Sequence, residues 1–307
     1  MKVVIIGLGS IGKKHVDALM QIEEHNFDIY ALRSSMNKTK TYKNVNNIYS
    51  LEVLPFEPDF FIISNPTFLH FQTLQTLILF EKPLLIEKPA VMLLKEAAII
   101  EPILRKKNIL NYVGCNLRFL EVLTFSKDFL RKKNLRINEV NIYAGSYLPS
   151  WRPSQNFREV YSANAKMGGG IHLDFIHEID YLYWFFGKPK MQHSILRNNS
   201  SLEISAIDYA NYSYVYNEFV ASVVLNYYRK DRKRTFEIVA EEGTLLIEVE
   251  KGKVFFKQEL IFQTDQSILD TYFKQMRYFV NCIKSNEKTM NTFSEAFEVL
   301  QMCLDDE

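Results

Sequence analysis

Asp174 and His177 stand three residues apart in the run Gly168-Gly-Gly-Ile-His-Leu-Asp174-Phe-Ile-His177-Glu-Ile-Asp180. A histidine exchanges a proton near neutral pH. A carboxylate beside it fixes its tautomer and stabilises its charged form. Ile171, Phe175, Ile179, Leu182 and Phe186 recur at helical spacing, which predicts one helix carrying both groups. Residues three or four apart on a helix are side-chain neighbours, so the two would share a face. The glycines ahead of them permit positive φ and the close approach of another molecule. The stretch reads as an acid–base device. The plainer alternative is that Asp174 caps the helix and His177 is a satisfied core histidine, and His172 is a competing imidazole.

A second cluster of chemistry lies at the start of the chain. Val3-Val-Ile-Ile6 has the pattern of a buried strand, Gly7-Leu-Gly9-Ser10-Ile11-Gly12 follows, and a helical pattern begins at once with His15, Val16 and Leu19. Between a strand and a helix this glycine spacing marks a dinucleotide site. The first glycine makes the turn, the second admits the pyrophosphate, and the third lets helix and strand pack. The helix N-terminus then faces the anion. Gly7, Gly9, Ser10, Ile11 and Gly12 are therefore cofactor-binding candidates. The next strand, Asp28–Leu32, ends in Arg33-Ser34, where an acidic residue would favour a free ribose 2′-hydroxyl. A guanidinium and a hydroxyl there suit a 2′-phosphate, so NADP is the expected cofactor, with NAD as the alternative.

These residues need elements to position them. Strand patterns at Asp59–Ile63, Pro83–Glu87 and Ile109–Val113 alternate with helical ones, which predicts a doubly wound parallel sheet. Ligands of such sheets bind beyond the carboxyl ends of the strands. Asn65, Thr67 and His70 follow one strand, Glu87 and Lys88 end another, and Asn116 and Arg118 follow a third. Each alone could be a cap or a loop residue; together they form a rim.

The fingerprint with His15, Asn65-Pro-Thr-x-x-His70, Glu87-Lys88-Pro89, Gly114-x-Asn116-x-Arg118 and the triple-glycine helix resemble the glucose–fructose oxidoreductase/inositol dehydrogenase (Gfo/Idh/MocA) family. The resemblance implies an α/β Rossmann domain, placed at 1–118, and an α+β domain with an open, mostly antiparallel sheet at 119–307. It also implies hydride transfer between a nicotinamide and a sugar or cyclitol carbon. The family's lysine maps onto Lys88, and its helix carboxylate and histidine onto Asp174 and His177. Asn65, Thr67, His70, Glu87, Lys88 and Asn116 become expected cofactor contacts. Family members usually space the carboxylate and histidine four apart; here the spacing is three, and His-x-x-Asp ending at Asp180 is kept.

The second half begins with a helix over Leu120–Lys133 and a strand over Glu139–Tyr147. An irregular aromatic and basic segment follows, with Trp151, Arg152 and Tyr161, and long loops of this kind are often functional. Trp and Tyr stack on sugar rings and Arg binds carboxylate or phosphate. Arg118, Trp151, Arg152 and Tyr161 are the substrate candidates. Strand patterns then repeat from Gln192 to Lys257 as an antiparallel meander, with Arg229–Arg234 as a basic hairpin tip. One sheet face is expected to be covered. The other is expected to be rich in Tyr and Phe and to be buried in a homodimer or homotetramer.

Composition narrows the class. The chain has 307 residues, 47% hydrophobic, with a formal net charge of +1. That balance gives no electrostatic reason to expect nucleic acid or a membrane surface as partner. Cys115, Cys282 and Cys303 show neither metal spacing nor a disulfide framework, which suits a reducing compartment. No signal peptide, membrane span or metal is expected, so the reading is cytoplasmic. The function expected is an NAD(P)-dependent oxidoreductase acting on a sugar, nucleotide-sugar or cyclitol CH–OH group. The rivals are redox-assisted glycoside cleavage and a nucleotide-binding regulator without turnover.

Overall fold

The computed structural model describes residues 1–33, 42–52 and 54–304. The chain opens with β1 (Lys2–Ile6), α1 (Ser10–Met20), β2 (Asp28–Leu32), β3 (Asn46–Ile48), β4 (Phe60–Ile63), α2 (His70–Leu77), β5 (Leu84–Glu87), α3 (Leu94–Lys106) and β6 (Asn111–Gly114). These strands form one six-stranded sheet in the order β3-β2-β1-β4-β5-β6. Every neighbouring pair is parallel, as the alternation of patterns predicts. Val3–Ile5, Phe60–Ile63 and Leu84–Ile86 are wholly buried. A parallel sheet covered on both faces by crossover helices has no solvent side, so its strands read as unbroken apolar runs. The strand order reverses between β1 and β4, the point where such sheets take their ligands.

The chain continues with α4 (Glu121–Lys133), β7 (Ile137–Tyr147), α5 (Ile171–Asp174), α6 (Ile176–Phe186), β8 (Met191–Arg197), β9 (Tyr209–Val215), β10 (Val220–Asn226), β11 (Tyr228–Ala240), β12 (Gly243–Glu248), β13 (Lys253–Phe256), β14 (Glu259–Gln263), α7 (Ile268–Ser285) and α8 (Phe293–Cys303). The eight strands form a second sheet in the order β14-β13-β12-β11-β7-β10-β9-β8. Only β7 and β10 pair in parallel; the other pairs are antiparallel. The Rossmann domain and the open, mostly antiparallel sheet of the expected fold are both present. The basic run Arg229–Arg234 lies inside β11 rather than at a hairpin tip, beside a register shift between Tyr228 and Lys233.

Compact packing groups Met1–Asn116 with Ile268–Phe297, and Leu117–Ser267 with Glu298–Glu307. The expected single division after residue 118 therefore differs from the observed grouping by the return of α7. The cause is the buried stripe on α7, where Phe279 packs edge-on to Phe60 of β4 at 5.6 Å and Gln275 meets the Tyr112 hydroxyl at 3.5 Å. The returning stripe thus completes the cover over the parallel sheet.

Alternation in the second sheet decides which residues face its helices. Ala210, Tyr212 and Tyr214 of β9, Ala221, Val223 and Leu225 of β10, and Phe236 and Ile238 of β11 are buried. Tyr212 and Tyr214 donate their hydroxyls to the carbonyls of Cys303 and Met302. The aromatic-rich face is thus the covered one, opposite to expectation, because these carbonyls at the end of α8 satisfy the buried phenols. The opposite face carries Glu139, Asn141, Tyr143, Ser213, Ser222 and Glu237 among half-buried apolar residues.

Candidate functional site

In the first unit, the turn after β1 is shaped by its glycines. Gly7 has φ +92°, and a Cβ there would lie 2.6 Å from Asn65 Cα. A Cβ at Gly12 would lie 2.3 Å from Gly7 O. Both positions are closed by backbone, so only glycine fits. Gly9 is different: a Cβ there would meet nothing within 4 Å. The chain itself leaves that position open, at the start of α1 where Ser10, Ile11 and Gly12 bring N–H groups without intrahelical partners. Across the turn, Asn65 donates Nδ2 to Thr73 Oγ1 at 2.9 Å, while its buried Oδ1 finds no partner among the described residues. A glycine cradle, a helix N-terminus and an orphaned amide oxygen fit a dinucleotide. Arg33 is half-buried at the end of β2, its backbone N–H bonded to Ile48 O at 2.9 Å. Ser34 lies outside the described residues.

Other rim residues have internal partners. His70 is buried, with Nε2 2.9 Å from Asn65 O and Nδ1 3.1 Å and 3.2 Å from Pro89 O and Ala90 O. Burial pushes its pKa down. It ties the loop after β4 to the loop after β5, and Thr67 between them is buried. Asn116, expected at the cofactor, is buried and donates Nδ2 to Thr271 Oγ1 of α7 at 2.7 Å. Glu87 is buried, and its Oε1 accepts from His15 Nε2 at 2.7 Å. Lys88 follows it, half-buried.

In the second unit, the expected single helix is two. Phe175, with φ −103° and ψ 30°, breaks it between α5 and α6. Asp174 ends α5 and His177 sits in the first turn of α6. Their spacing of three therefore does not put them on one helical face. Asp174 has a different neighbour: Tyr227, fully buried between β10 and β11, donates its hydroxyl to Asp174 Oδ2 at 2.5 Å. Burial first, and then the Asp174 carboxylate, raise the Tyr227 pKa well above that of a free phenol. Tyr227 is fixed at both ends of its peptide, by its N–H to Asp208 O and by Leu148 N–H to its carbonyl. Among the glycines before α5, Gly168 has φ +82° and Gly170 φ +144°, the positive φ expected, and a Cβ at Gly169 would lie 2.2 Å from Tyr161 O, so the close approach there is the chain's own.

An aromatic group surrounds the break. Trp151 stacks on Phe175 at 5.8 Å and meets Tyr227 edge-on at 5.5 Å. Its indole N–H goes to Ser146 Oγ at 2.8 Å, and 38% of the residue remains exposed. Arg234 lies over the Phe175 ring at 5.2 Å and donates Nε to the fully buried Glu178 at 2.5 Å. Glu178 follows His177 directly, so this ion pair and this ring hold the first turn of α6. His177 is itself buried. His172 is buried too, and desolvation lowers its pKa to about 4, which keeps it neutral at physiological pH. A neutral imidazole of so low a pKa is a poor proton carrier there.

The four substrate candidates separate cleanly. Trp151 presents an exposed ring and Arg152 is exposed. Tyr161 donates its hydroxyl to Gly168 O at 2.8 Å and braces the glycine turn. Arg118 is not available to a substrate. It is 2% exposed and grips Asp180 of α6 with Nε–Oδ2 2.9 Å and Nη2–Oδ1 2.7 Å. A buried carboxylate must be paired, and Asp180 takes the guanidinium. Sequence reasoning missed Tyr227, Glu178 and Arg234; the first is hidden in a strand pattern and the last in a basic run. Among the described residues no group of three or more His, Cys, Asp or Glu could hold a metal ion, and no helix is long and apolar enough to cross a membrane.

Comparison with known proteins agrees with this geometry. Residues 1–115 match the model of an oxidoreductase family with an NAD-binding Rossmann fold, and residues 136–246 match the Gfo/Idh/MocA C-terminal domain. An uncharacterized oxidoreductase of Synechocystis sp. is 23% identical over 194 residues, 61% of this chain and 52% of that protein. Glucose-6-phosphate 3-dehydrogenase of Bacillus subtilis is 24% identical over 242 residues, 73% of this chain and 66% of that protein. The chain thus spans between about half and two thirds of these curated relatives. The structure of scyllo-inositol dehydrogenase from Lactobacillus casei, with NAD(H) and scyllo-inositol bound, has the same fold. Its TM-score is 0.81 at 19% identity, over 99% of this chain and 94% of that one. With both of its family matches in order along the sequence, the chain belongs to the Gfo/Idh/MocA oxidoreductase family.

Proposed function

We propose that this protein is an NAD(P)-dependent dehydrogenase or reductase acting on a CH–OH group of a sugar, nucleotide-sugar or cyclitol. The observation that carries the reading is the glycine turn left open at Gly9 beside the orphaned Asn65 Oδ1, in a chain of this oxidoreductase family. The relatives that act on glucose 6-phosphate and scyllo-inositol support the substrate class. When bound, the nicotinamide supplies the hydride acceptor or donor. Gly9 would admit the pyrophosphate to the first turn of α1, on a turn shaped by Gly7 and Gly12, and Asn65 Oδ1 would accept a hydrogen bond from the cofactor. Arg33 favours a 2′-phosphate, so NADP is preferred.

Oxidation of a carbinol removes a hydride from carbon and a proton from oxygen. His177 takes that proton, and returns it in the reverse direction. Lys88 polarises the hydroxyl. Asp174, oriented by Tyr227, holds a neighbouring hydroxyl rather than His177. The exposed face of Trp151 stacks on the ring of the substrate, and Arg152 lies beside it. Exposed Met191 and Ile195 of β8, Val220 of β10, Tyr228 of β11 and Leu260 of β14 support burial of this sheet in a homodimer or homotetramer. The three cysteines, all buried, suit the cytoplasm.

The test follows absorbance of the reduced cofactor with NAD and with NADP over scyllo-inositol, glucose 6-phosphate and a nucleoside-diphosphate sugar. Turnover of at least one, faster with NADP, is expected. Tight cofactor binding without turnover of any of them would replace the enzyme by a regulator.

A further inference from the structure

Glu87 ends β5 and directly precedes Lys88, and its carboxylate is held from two sides. His15 of α1, with no exposed surface, brings Nε2 to 2.7 Å from Oε1. The backbone N–H of Lys88 itself donates to Oε2 at 3.3 Å. Gly114 of β6 lies opposite Glu87 in register, and a Cβ there would be in ordinary contact, 3.5 Å from Glu87 Oε1 and from both polar atoms of Gln275. α7 closes the other side, with Tyr272 edge-on to the His15 ring at 5.8 Å. Burial, and then the Glu87 carboxylate, raise the Tyr272 pKa.

Stability alone does not explain this pair. Desolvating a histidine and a carboxylate is offset only in part by their contact, and apolar side chains of the same volume often do as well. His15 Nδ1 is moreover buried without a partner among the described residues, a cost that an apolar side chain would avoid. What the pair does supply is a link. His15 lies three residues, just under one helical turn, beyond Gly12, on the helix whose N-terminus would face the dinucleotide. Glu87 grips the main chain of Lys88. The two ends of one hydrogen bond thus belong to the cofactor helix and to the lysine segment.

We propose that His15 and Glu87 are a positioning pair that sets the Lys88 backbone against the cofactor-binding helix. This rests on the reading of Lys88 as a catalytic group given above. Neither residue touches substrate. The pair acts through Lys88, so its loss misplaces the lysine while the glycine turn that seats the dinucleotide stays intact.

The experiment compares His15→Leu, His15→Gln and Glu87→Gln with the wild type in the full chain. Affinity for the reduced cofactor is read by fluorescence titration with NADH and with NADPH, and kcat with whichever of scyllo-inositol, glucose 6-phosphate or the nucleoside-diphosphate sugar the wild type oxidises. His15→Leu is expected to lose roughly ten- to a hundredfold in kcat, the scale of a displaced catalytic group, with cofactor affinity near that of the wild type. His15→Gln, whose amide can donate from a similar place, should recover most of the loss. Glu87→Gln should lower kcat in the same way, and it carries the test if His15→Leu does not fold. Wild-type kcat in His15→Leu or Glu87→Gln overturns the proposal. So does a kcat loss that tracks loss of cofactor binding and is not recovered by His15→Gln, since that is a packing role. A wild type that binds NADH or NADPH and oxidises none of the three compounds overturns the functional reading, and the pair's role with it. Active wild type and fully active variants overturn the pair alone.

Discussion

Arg118→Met should destabilise the second unit rather than weaken substrate binding. The guanidinium and the Asp180 carboxylate are 1% and 2% exposed at the side chain and share two hydrogen bonds. Removing one partner of such a pair leaves a buried charge and costs about 3–5 kcal/mol. In a domain of about 150–250 residues each kcal/mol moves Tm by about 2–4 °C. Together these give a fall of roughly 6–20 °C. The methionine keeps much of the side-chain volume and its packing against Trp184, whose ring lies 6.0 Å from the Arg118 guanidinium carbon. The loss is therefore electrostatic, and replacing the second partner as well should restore most of it, because a well-packed apolar pair is often neutral or better. Thermal melts of Arg118→Met, Asp180→Leu and the double variant, followed by circular dichroism, provide the assay. The double variant should melt above either single one. If Arg118→Met instead keeps the wild-type Tm and raises KM for the substrate, the buried-pair account is wrong and the rim assignment read from sequence stands.

Three other perturbations separate seating, orientation and core charge. Gly9→Ala should leave Tm unchanged, since the position is open and not left-handed, yet weaken NADH binding at least about tenfold by obstructing the pyrophosphate; unchanged affinity measured by fluorescence titration would remove Gly9 from the site. Tyr227→Phe should lower kcat/KM as much as Asp174→Ala, and the double variant should be no worse than either, because the hydroxyl acts through that carboxylate; additive losses would assign Tyr227 to packing. His172 is held neutral by burial, its pKa lowered from 6.5 to about 4, so the unfolded chain binds the extra proton between those values. Its stabilising effect is complete above pH 6.5 and declines as pH falls towards 4, by roughly 3 kcal/mol in all. His172→Gln should flatten that acid slope in urea denaturation at pH 5 and pH 7.5, and an unchanged slope would contradict the burial argument.

The fold was legible where sequence carries local and periodic information. The glycine turn and the apolar runs at Val3–Ile6, Phe60–Ile63 and Leu84–Ile86 each announce themselves within a few residues. β3 did not, because Asn46-Asn-Ile48 is too short and polar to show a pattern. The break at Phe175 escaped for another reason: the apolar spacing continues through it, and one residue's departure in φ and ψ leaves no trace in periodicity. Alternation along β9 puts Tyr212 and Tyr214 on one face, yet only the carbonyls of Met302 and Cys303 reveal that it is the covered one. Arg118 and Asp180 were both noticed, but their pairing joins residues 62 apart. Tyr227 and Asp174 are 53 apart, and nothing local ties them.

On the proposed function, cofactor seating and proton transfer belong to different residues. The direct measurement is NADH and NADPH affinity and kcat side by side for the wild type, Lys88→Ala and His177→Ala, with the best compound from the substrate screen. A lost general acid or base typically removes about 10²–10⁴-fold of the rate. Both variants should lose kcat on that scale while cofactor affinity stays near that of the wild type. Full turnover in His177→Ala, above all if His172→Gln then abolished it, would contradict the account.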